Sequence, residues 1–557
     1  MKRTQRLRVG ILINDFEIPN WYYRMLINII NGGAAELVLL VKNEISHPDN
    51  NIWTRLWSNR KHQLYLLFNR WELKWTNSRP DAFKKKDIRE LTGDIPVINV
   101  VPRQTKFSDY FSKSDIEKIK EYNIDVFIRM GFRIIRGEIL SLPRFGIWSY
   151  HHGDSESVRG SPAGVWEVIE NRPITGAVLQ ILTEDLDNGV ILSRSYTATD
   201  NLSILRNRNN HYWNNMTILP LKLRELYERG EEAFFERVDK ENFELNMYSF
   251  PLYRVPKNAI FFWFLLRLFI RRLKYRFRLL FFIKEWFLLY RLGPTMATSL
   301  WRFKALYPPK DRSWADPFVV EHGGEIHLFF EEYIRQKAKG HISCMVLNPD
   351  GSTSKPQIII ERPNHLSYPF VFDYEKTYYI LLCNNKDKNL ELYQCLSFPN
   401  EWIYFKKMMI GLDASDATLI YHNKKWWMFV NIKEIEGVSS WGTLYLYYAD
   451  DPLQAQWMPH PENPIVSDVR KARPAGRIFS KKGVLYRPAQ DCSCGYGYRI
   501  RFFRIDRLDE DEYREHEVTR ISPQWKKNII GIHTFNNSDG VTVVDAKRYR
   551  LSLLQKD

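Results

Sequence analysis

The chain has 557 residues, of which 44% are hydrophobic and 15% aromatic, and its 81 Lys and Arg against 65 Asp and Glu give a formal net charge of +16. This length exceeds one ordinary core, and this apolar content excludes a disordered chain, so we expect at least two folded domains. The composition also excludes collagen-like, mucin-like and disulfide-stapled proteins.

The cysteines and the amino terminus predict the compartment. All five cysteines lie in the second half of the chain, and only Cys492 and Cys494 are close together. An odd number with a single C-x-C pair is typical of structural thiols in a reducing compartment, and we expect no metal site. The first apolar run, Val9 to Ile13, is ended by Asn14 and Asp15 and is too short for a signal peptide. We therefore expect a cytoplasmic protein.

An α/β pattern fills residues 1–205. Apolar runs and helical periodicity predict strands at 7–13, 36–41, 96–101 and 124–129, and helices at 21–31 and 114–122. Strands that alternate with helices are typical of a Rossmann-like parallel sheet. No G-x-G-x-x-G follows the first strand, so a standard dinucleotide site is not expected.

Residues 206–256 form a polar extension with a predicted helix at 217–236, and residues 257–291 form a basic linker. The linker holds nine basic residues and one acidic residue, a net charge of +8, which is half the excess charge of the chain. On a helix its side chains form an apolar stripe and a neighbouring basic stripe: Leu266, Phe269, Ile270, Leu273, Phe277 and Leu280, then Arg267, Arg271, Lys274 and Arg278.

This linker is too short in uninterrupted apolar sequence to span a bilayer, which takes about 20 residues. A basic, aromatic, amphipathic helix is typical of an anionic membrane surface. The alternative is an interdomain helix whose apolar stripe packs on a domain. Because the basic charge is concentrated in one apolar segment, we expect no nucleic-acid partner.

From residue 310 onward the pattern is all-β, and residues 292–557 carry a weak repeat. Its copies begin near residues 316, 369, 416 and 474, with a degenerate fifth copy near 533. Four-stranded units at intervals of about 50 residues predict a five-bladed β-propeller.

One stretch of the first domain carries four spaced motifs. They are Ser149-Tyr150-His151, Arg159-Gly160, Thr175-Gly176 and Leu186-Asp187-Asn188-Gly189. In this order they resemble the family of formyltransferases that use 10-formyltetrahydrofolate as formyl donor. The resemblance covers about the first 200 residues and implies the family's Rossmann-like fold.

The resemblance also implies roles for these residues. His151 is the family histidine, an acid/base or a polariser of the formyl oxygen, and Asp187 is the aspartate that orients it. Ser149 stands where the family has an asparagine whose amide holds the formyl oxygen, and the loss of such a donor costs about 10²–10³ in rate. A slower enzyme, a rearranged site using His152 or water, and a domain that only binds all stay open.

The acceptor is expected at the motif loops. By resemblance, Arg159 and Gly160 close the substrate loop, and His152 and Asp154 lie where the amine acceptor approaches. Asp154 binds a charged or hydroxylated acceptor there, or is merely solvated.

The second half resembles the propeller at the amino terminus of glucosamine inositolphosphorylceramide transferases and, more remotely, arabinanases and xylosidases. The segments that carry this resemblance are WADPF, SYPFVF, DAT, HPENPI, ARPAGRIF and YRPAQDCSCGYG. The resemblance implies a channel lined by six residues: Asp316, Asp416, Arg473, Arg487, Gln490 and Asp491. These channel residues have three interpretations: a surface that binds a glycan or glycolipid, structural turns between strands, or a site of glycoside hydrolysis. Hydrolysis needs a general acid, and the strand YYILLCNN, where we would expect one, has no carboxylate.

Together these patterns predict a formyltransferase, peripheral on the inner face of the membrane. It would formylate the amine of a nucleotide-linked amino sugar or glycolipid precursor, with the propeller binding the glycan part. The alternatives are glycosyl transfer or hydrolysis in the propeller beside a degenerate first domain, and a non-catalytic glycan-binding protein.

Overall fold

The structure is a computed structural model, and the residues it describes are 5–45, 59–76, 80–154, 156, 158–185, 189–243, 247–297, 299–384, 386–433, 439–454, 456–538 and 540–552. The chain divides into two units, Met1–Ile270 and Arg271–Asp557. Each unit has its own sheets and its own buried clusters.

A seven-stranded sheet organises the first unit. In spatial order its strands are Val190–Ala198, Ile174–Ile181, Ile147–His151, Val126–Arg129, Leu7–Ile13, Ala35–Asn43 and Val97–Val100. The last five run parallel, which confirms the predicted α/β class, whereas the first two pair antiparallel at one edge. The four predicted strands all exist within a few residues of their expected bounds.

Burial on both faces explains why these strands form. Leu7–Ile13 is apolar at nearly every position, and only Arg8 and Gly10 interrupt the large apolar side chains. Such a continuous run is typical of a parallel strand covered on both faces. The small Gly10 is required because the ring of Phe127 lies where its Cβ would be.

Helices and short strands complete the first unit. The helices are Asn20–Asn31, Gln63–Trp75, Arg89–Thr92, Lys113–Lys120, Trp166–Ile169, Ile204–Asn215, Ile218–Arg229 and Glu231–Glu241. Short strands pair Glu17–Pro19 with Lys85–Asp87, and join Arg103–Gln104, Ser108–Tyr110 and Ile134–Arg136.

The single helix predicted at 217–236 is wrong. Two helices occupy this stretch, and the break is at Gly230, whose φ of +81° is outside the helical range. A glycine tolerates this backbone conformation, whereas other residues are strained by it.

The linker helix spans Asn258–Phe281. Phe261, Phe264 and Leu268 are buried in a cluster with Phe68 and Val165 of the first unit. No helix among the described residues combines the length and hydropathy that a bilayer-spanning segment needs.

The predicted apolar stripe is a different face of this helix. All six of its side chains are exposed. The two most exposed are Phe269, at 65%, and Leu280, at 72%. The membrane and interdomain interpretations of this stripe both stay predictions. The helical prediction also fails over 282–291, where the chain forms a strand, Phe282–Leu292, whose residues from Phe287 to Tyr290 are all buried.

The described residues of the second unit form five antiparallel sheets, which confirms the all-β prediction. The first contains Phe282–Leu292, Lys304–Leu306, Ile529–Gly531, Phe535–Ser538 and Val541–Leu551, and the second Arg312–His322, Glu325–Ile334, Lys339–Leu347 and Gln357–Ile360. The third contains Phe370–Tyr374, Thr377–Asn384, Asn389–Ser397 and Glu401–Ile410, and the fourth Ala414–His422, Lys425–Ile432, Leu444–Ala449 and Met458–Pro459. The fifth contains Arg473–Pro474, Phe479–Lys481, Val484–Asp491, Arg499–Leu508 and Tyr513–Ile521.

The first sheet joins the two ends of this unit. Phe282–Leu292 pairs along its whole length with Val541–Leu551, so the first and last long strands are neighbours. Closure of this kind removes the free edges that a chain of separate sheets would present. The arrangement of the five sheets as propeller blades stays a prediction.

The repeat has a shared backbone feature. Asp316 and Asp416 both have positive φ, +50° and +55°, and both interrupt the pairing of the opening strand of their sheet. Tyr368 and Gly476, in the second and fourth copies of the same pattern, have φ of +52° and +115°. These bulges turn selected side chains of the repeat away from the regular alternation.

Candidate functional site

Two of the predicted catalytic residues line a small cavity in the first unit. Ser149 and His151 are two residues apart on the strand Ile147–His151, so their side chains share a face. Both line a cavity of about 180 Å³ together with Arg129, Gln180 and Thr183. The third predicted residue, Asp187, lies outside the described residues, and its pairing with His151 stays a prediction.

Arg129 is the cavity residue that sequence reasoning missed. It ends the parallel strand beside Ile147–His151, and its Nη1 donates a hydrogen bond to Ser149 Oγ at 3.2 Å. Its Nη2 donates to the carbonyl oxygens of Phe132 and Arg133 at 3.0 and 2.8 Å. Burial lowers the pKa of the Arg129 guanidinium. The only sequence signal was a basic residue directly after a buried apolar run.

The cavity's outer loop is fixed by Glu184. Its Oε1 accepts a hydrogen bond from the backbone N–H of Gly137 at 2.7 Å, and Arg136 also contacts it. This loop precedes the Leu-Asp-x-Gly motif, so the chain that leads to Asp187 starts from an anchored position.

His152 lies in an aromatic cluster and does not line the cavity described above. Its ring stacks on Tyr212 at 3.9 Å and meets the edge of Trp21 at 5.1 Å. Burial, with the nearby His211 and His151, lowers the pKa of His152 well below its usual value, which favours the neutral ring. A contact between this ring and a substrate would require the aromatic cluster to open.

The Arg159-Gly160 motif docks on a later segment of the same unit. Gly160 has φ of +115°, and a Cβ there would approach the carbonyl oxygen of Tyr253 to 2.0 Å. The Arg159 guanidinium lies over the ring of Tyr248 at 4.6 Å. The motif therefore has a packing role independent of any substrate.

The Asp154 side chain closes a turn in the motif loop. Its Oδ1 accepts the backbone N–H of Glu156 at 3.0 Å. Gly176 of the Thr-Gly motif lies beneath it, since a Cβ at that position would be 2.8 Å from Asp154 Cβ. Thr175 is buried and its hydroxyl is hydrogen bonded to that of Thr199 at 2.9 Å.

A second cavity, of about 650 Å³, lies within the second unit. Its volume is in the range of small-molecule sites, about 300–1,000 Å³. Its lining includes the side chains of Trp286, Glu331, Asp416, Arg473, Tyr496 and His533. The cavity combines aromatic faces with buried charged groups.

Asp416 and Arg473, two predicted channel residues, form a buried ion pair at this cavity. Arg473 Nε donates to Asp416 Oδ2 at 2.5 Å and its Nη2 donates to Oδ1 at 3.1 Å. Gln490, a third predicted residue, donates to Asp416 Oδ2 at 3.0 Å. The carboxylate of Asp416 is thus already held by protein donors.

Asp316 belongs to a buried cluster with His533 and Asp545. Thr534 Oγ1 donates to Asp316 Oδ1 at 2.6 Å, and His533 Nδ1 lies 2.5 Å from Asp545 Oδ2. Burial raises the pKa of Asp316 to about 6, although the charge of His533 opposes this. Burial lowers the pKa of His533, but the two carboxylates outweigh it and the net direction is upward.

The ligand atoms of this cluster lie within 4.8 Å of one another, a spacing that a metal ion accepts. Asp545 Oδ1, however, accepts the backbone N–H groups of His533 and Thr534 at 2.9 and 3.0 Å, and its Oδ2 accepts that of Asp316. Protein donors therefore already stabilise the carboxylate.

Glu331 is a cavity residue that the sequence search for a general acid did not consider. It pairs with Ala315 across the hairpin that contains Asp316, so the bulge brings both carboxyls to one region. Burial and the negative charges of Asp316 and Asp416 raise the pKa of Glu331 well above its usual value. The signal was the pair of glutamates that ends HLFFEE.

The last two predicted channel residues hold ion pairs of their own. Arg487 donates to both carboxylate oxygens of Glu515, at 2.8 and 2.7 Å. Asp491 accepts from Arg501 at 2.8 and 2.7 Å. Neither Arg487 nor Asp491 is among the described side chains that line the cavity.

Comparisons with known proteins divide the chain in the same way. Residues 307–539 match the family model "Glucosamine inositolphosphorylceramide transferase 1, N-terminal". The transferase of that name from Oryza sativa subsp. japonica is 36% identical over 216 residues, which cover 38% of this chain and 29% of the relative. The Arabidopsis thaliana relative is 36% identical over 207 residues, covering 37% of this chain and 27% of the relative.

The N-terminal region matches formyltransferases. Methionyl-tRNA formyltransferase of Prochlorococcus marinus is 30% identical over 115 residues, covering 20% of this chain and 31% of the relative. The chain therefore spans less than a third of each of these three relatives.

Solved structures with similarity include a family 117 glycoside hydrolase from Zobellia galactanivorans, with 14% identity, a TM-score of 0.32, and coverage of 49% of this chain and 93% of the other. Glycinamide ribonucleotide transformylase 1 from Symbiobacterium toebii has 14% identity, a TM-score of 0.26, and coverage of 39% and 86%.

Proposed function

We propose that this protein transfers a formyl group from 10-formyltetrahydrofolate to the amine of an amino sugar that is linked to a nucleotide or a lipid. The observation that carries the proposal is the cavity that Ser149 and His151 line together. It lies in the region of the chain that is similar to methionyl-tRNA formyltransferases. The product would enter the synthesis of a surface glycan or glycolipid.

The chemistry requires three groups. A neutral amine attacks the formyl carbon, a base accepts the proton that the amine loses, and hydrogen-bond donors stabilise the oxyanion. His151 is the proposed base, since it is the histidine among the described residues that line the cavity. Ser149 donates its hydroxyl hydrogen towards the formyl oxygen, and Asp187 orients His151.

The cavity fits the reacting end of a formyl donor. Its volume of about 180 Å³ is smaller than an ordinary small-molecule site, about 300–1,000 Å³, so it encloses the formyl group and its neighbours. The buried Nε of Arg129 has no hydrogen-bond partner and leaves a donor for an oxygen acceptor. The donor is a substrate here, consumed in each turnover.

The glycan part of the acceptor is proposed to bind in the second-unit cavity. Trp286 stacks on His533 at 3.9 Å and, with Tyr496, supplies aromatic surface for a sugar ring. The named activity of the rice and Arabidopsis relatives involves glucosamine and inositolphosphorylceramide. This supports a lipid-linked sugar as acceptor.

The exposed apolar stripe of the linker helix supports a membrane location. Its large side chains lie next to Arg267, Arg271, Lys274 and Arg278 in sequence. Apolar burial and attraction to anionic lipid act together on such a helix. We propose that it lies on the inner, cytoplasmic face of a membrane that carries the acceptor.

A second candidate function places the chemistry in the second unit. Glu331, whose pKa burial raises well above its usual value, and Asp316 are the two carboxyls that favour glycosidic cleavage or transfer there. In that case the first unit only binds, and Glu331→Gln alone removes the activity on a sugar substrate.

The test uses the purified full chain with 10-formyltetrahydrofolate and a panel of nucleotide-linked and lipid-linked amino sugars. Release of tetrahydrofolate is expected, and His151→Ala or Asp187→Asn should abolish it. His322→Ala, at an exposed position of the second unit, is the matched control and should leave the rate unchanged. Turnover that survives His151→Ala would reject the assigned site, and a protein that binds sugars without turnover would be a glycan-binding protein.

A further inference from the structure

Arg129 is a buried cation without a carboxylate partner among the described residues. Its three hydrogen bonds go to one hydroxyl and two carbonyl oxygens, all of them uncharged acceptors. Its Nε has no hydrogen-bond partner. The guanidinium carries its charge at every physiological pH.

The carboxylate that acts electrostatically on Arg129 already has other partners. Asp109 acts on Arg129 at a distance, but its carboxylate is bound by Arg133 at 2.8 Å and by the backbone N–H of Arg133. A buried charge that lacks a partner is costly to the fold. The guanidinium of Arg129 nevertheless lies beside Ser149, and both residues line the cavity.

We infer that Arg129 is a catalytic residue that binds the oxyanion formed on the formyl group, in place of an amide donor at position 149. The inference rests on the proposed function. The Nη1–H group donates to Ser149 Oγ at 3.2 Å, so the guanidinium and the hydroxyl are neighbours in the cavity wall. The Ser149 hydroxyl donates a long hydrogen bond to the carbonyl oxygen of Tyr150, at 3.4 Å, and would exchange this acceptor for the oxyanion.

In the transfer step, the amine nitrogen forms a bond to the formyl carbon. The π electron pair of the C=O bond moves to oxygen, which becomes the anion that Arg129 and Ser149 bind. The amine proton goes to His151. When the intermediate collapses, the bond from carbon to the donor nitrogen breaks, its electron pair stays on that nitrogen, and a proton from His151 completes tetrahydrofolate.

The effect is specific to the transition state. The formyl group is neutral before attack and anionic afterwards, so a cation at this point stabilises the second form more. Loss of the charge is therefore expected to lower kcat and leave the KM for both substrates nearly unchanged. A residue that only supports the fold would change stability and KM as well.

The test compares Arg129→Met, which keeps the length of the side chain without its charge, with Arg103→Met at an exposed position as control. Arg129→Met should lower kcat by about 10²–10³ without lowering the thermal midpoint, because it removes a buried charge. The double variant Arg129→Ala with Ser149→Asn, which brings an amide donor into the vacated space, should recover part of the loss relative to Arg129→Ala. An unchanged kcat in Arg129→Met would overturn the inference.

A binding measurement separates this inference from the proposed function. Formate, a planar anion of the size of the formyl group, should bind the wild-type protein and the Arg103→Met variant, and not Arg129→Met, as followed by titration calorimetry. If the wild type shows no formyl transfer with any acceptor, the proposed function fails, and formate binding alone still tests the anion site. Equal formate binding to wild type and Arg129→Met would reject the anion site at Arg129.

Discussion

Arg473 grips the carboxylate of Asp416 with two hydrogen bonds, from Nε to Oδ2 and from Nη2 to Oδ1, at a position where both side chains are buried. Asp416 also has a positive φ that its sequence repeat shares with Asp316. One residue therefore serves the backbone geometry of the sheet and the electrostatics of the cavity. Its replacement separates these two roles.

Asp416→Asn should destabilise the second unit strongly. The amide keeps the shape and tolerates the positive φ, but it leaves Arg473 buried without a compensating charge, which costs about 3–5 kcal/mol of unfolding free energy. Urea unfolding measures this loss. Asp509→Asn, which removes one of the two ion-pair partners of the exposed Arg507, is the matched control and should change stability little. Equal effects of the two substitutions would contradict the role assigned to the buried pair.

Glu167 predicts a pH dependence of the first unit. It is 1% exposed, neither carboxyl oxygen has a hydrogen-bond partner, and burial raises its pKa to about 7 from an ordinary value of 4.5. A raised pKa means that the folded state binds the proton more tightly, so this contribution to stability is full below pH 4.5 and is lost as the pH rises through 7.

Glu167→Gln removes that dependence. Relative to the wild type, the variant should gain about 3 kcal/mol of unfolding free energy between pH 4.5 and pH 8. Denaturant unfolding of the wild type and the variant at both pH values measures how the difference between their unfolding free energies changes with pH. Glu117→Gln, with an exposed side chain, is the control and should show no such gain. If the unfolding free energies of wild type and variant differ by the same amount at both pH values, the raised pKa assigned to Glu167 is wrong.

The Arg-Gly motif can be tested as a packing element. Gly160→Ala places a Cβ against the carbonyl oxygen of Tyr253 at a φ of +115°, and the strain should cost about 1–3 kcal/mol or displace the docked segment. Gly33→Ala is the control for positive φ alone, since its φ is +71° and nothing lies within 4 Å of its Cβ. The thermal unfolding midpoint of Gly160→Ala should lie well below that of Gly33→Ala. The reverse order would show that the close approach to Tyr253 is not the reason for a glycine at position 160.

The linker helix predicts binding to anionic vesicles. Each basic residue at such a surface contributes about 1 kcal/mol of binding free energy. Reversal of Arg267, Arg271, Lys274 and Arg278 to Glu should therefore abolish sedimentation with vesicles. The control reverses the same number of charges elsewhere on the second unit, at Lys481, Lys482, Lys526 and Lys527, all of them exposed. Loss of binding in both variants would show that net charge, not the helix, drives it.

The main sheet was predictable because its strands are buried on both faces. Leu7–Ile13 and Val126–Arg129 consist mostly of large apolar residues, and this local signal is enough to place a strand. The shared face of Ser149 and His151 followed from alternation along one strand. These are properties of single segments, which a sequence records directly.

Arg129 and Glu331 were missed because their positions depend on pairing between segments. Arg129 reaches Ser149 through the register that sets Phe127 beside Ile147 in the parallel pair. Glu331 faces the cavity because it pairs with Ala315 next to the bulge at Asp316. A register between strands far apart in sequence is fixed by tertiary packing, and no local pattern reports it. The helix break at Gly230, by contrast, had a local signal that helical periodicity outweighed.

The central claim is that the first unit moves a formyl group to an amino sugar. The most direct measurement follows isotope-labelled formyl carbon from 10-formyltetrahydrofolate into nucleotide-linked and lipid-linked amino sugars, with wild type and His151→Ala side by side. The account predicts labelled formamide on a sugar with the wild type and none with His151→Ala. Label that stays on the folate with every acceptor, or transfer that continues in His151→Ala, would contradict it.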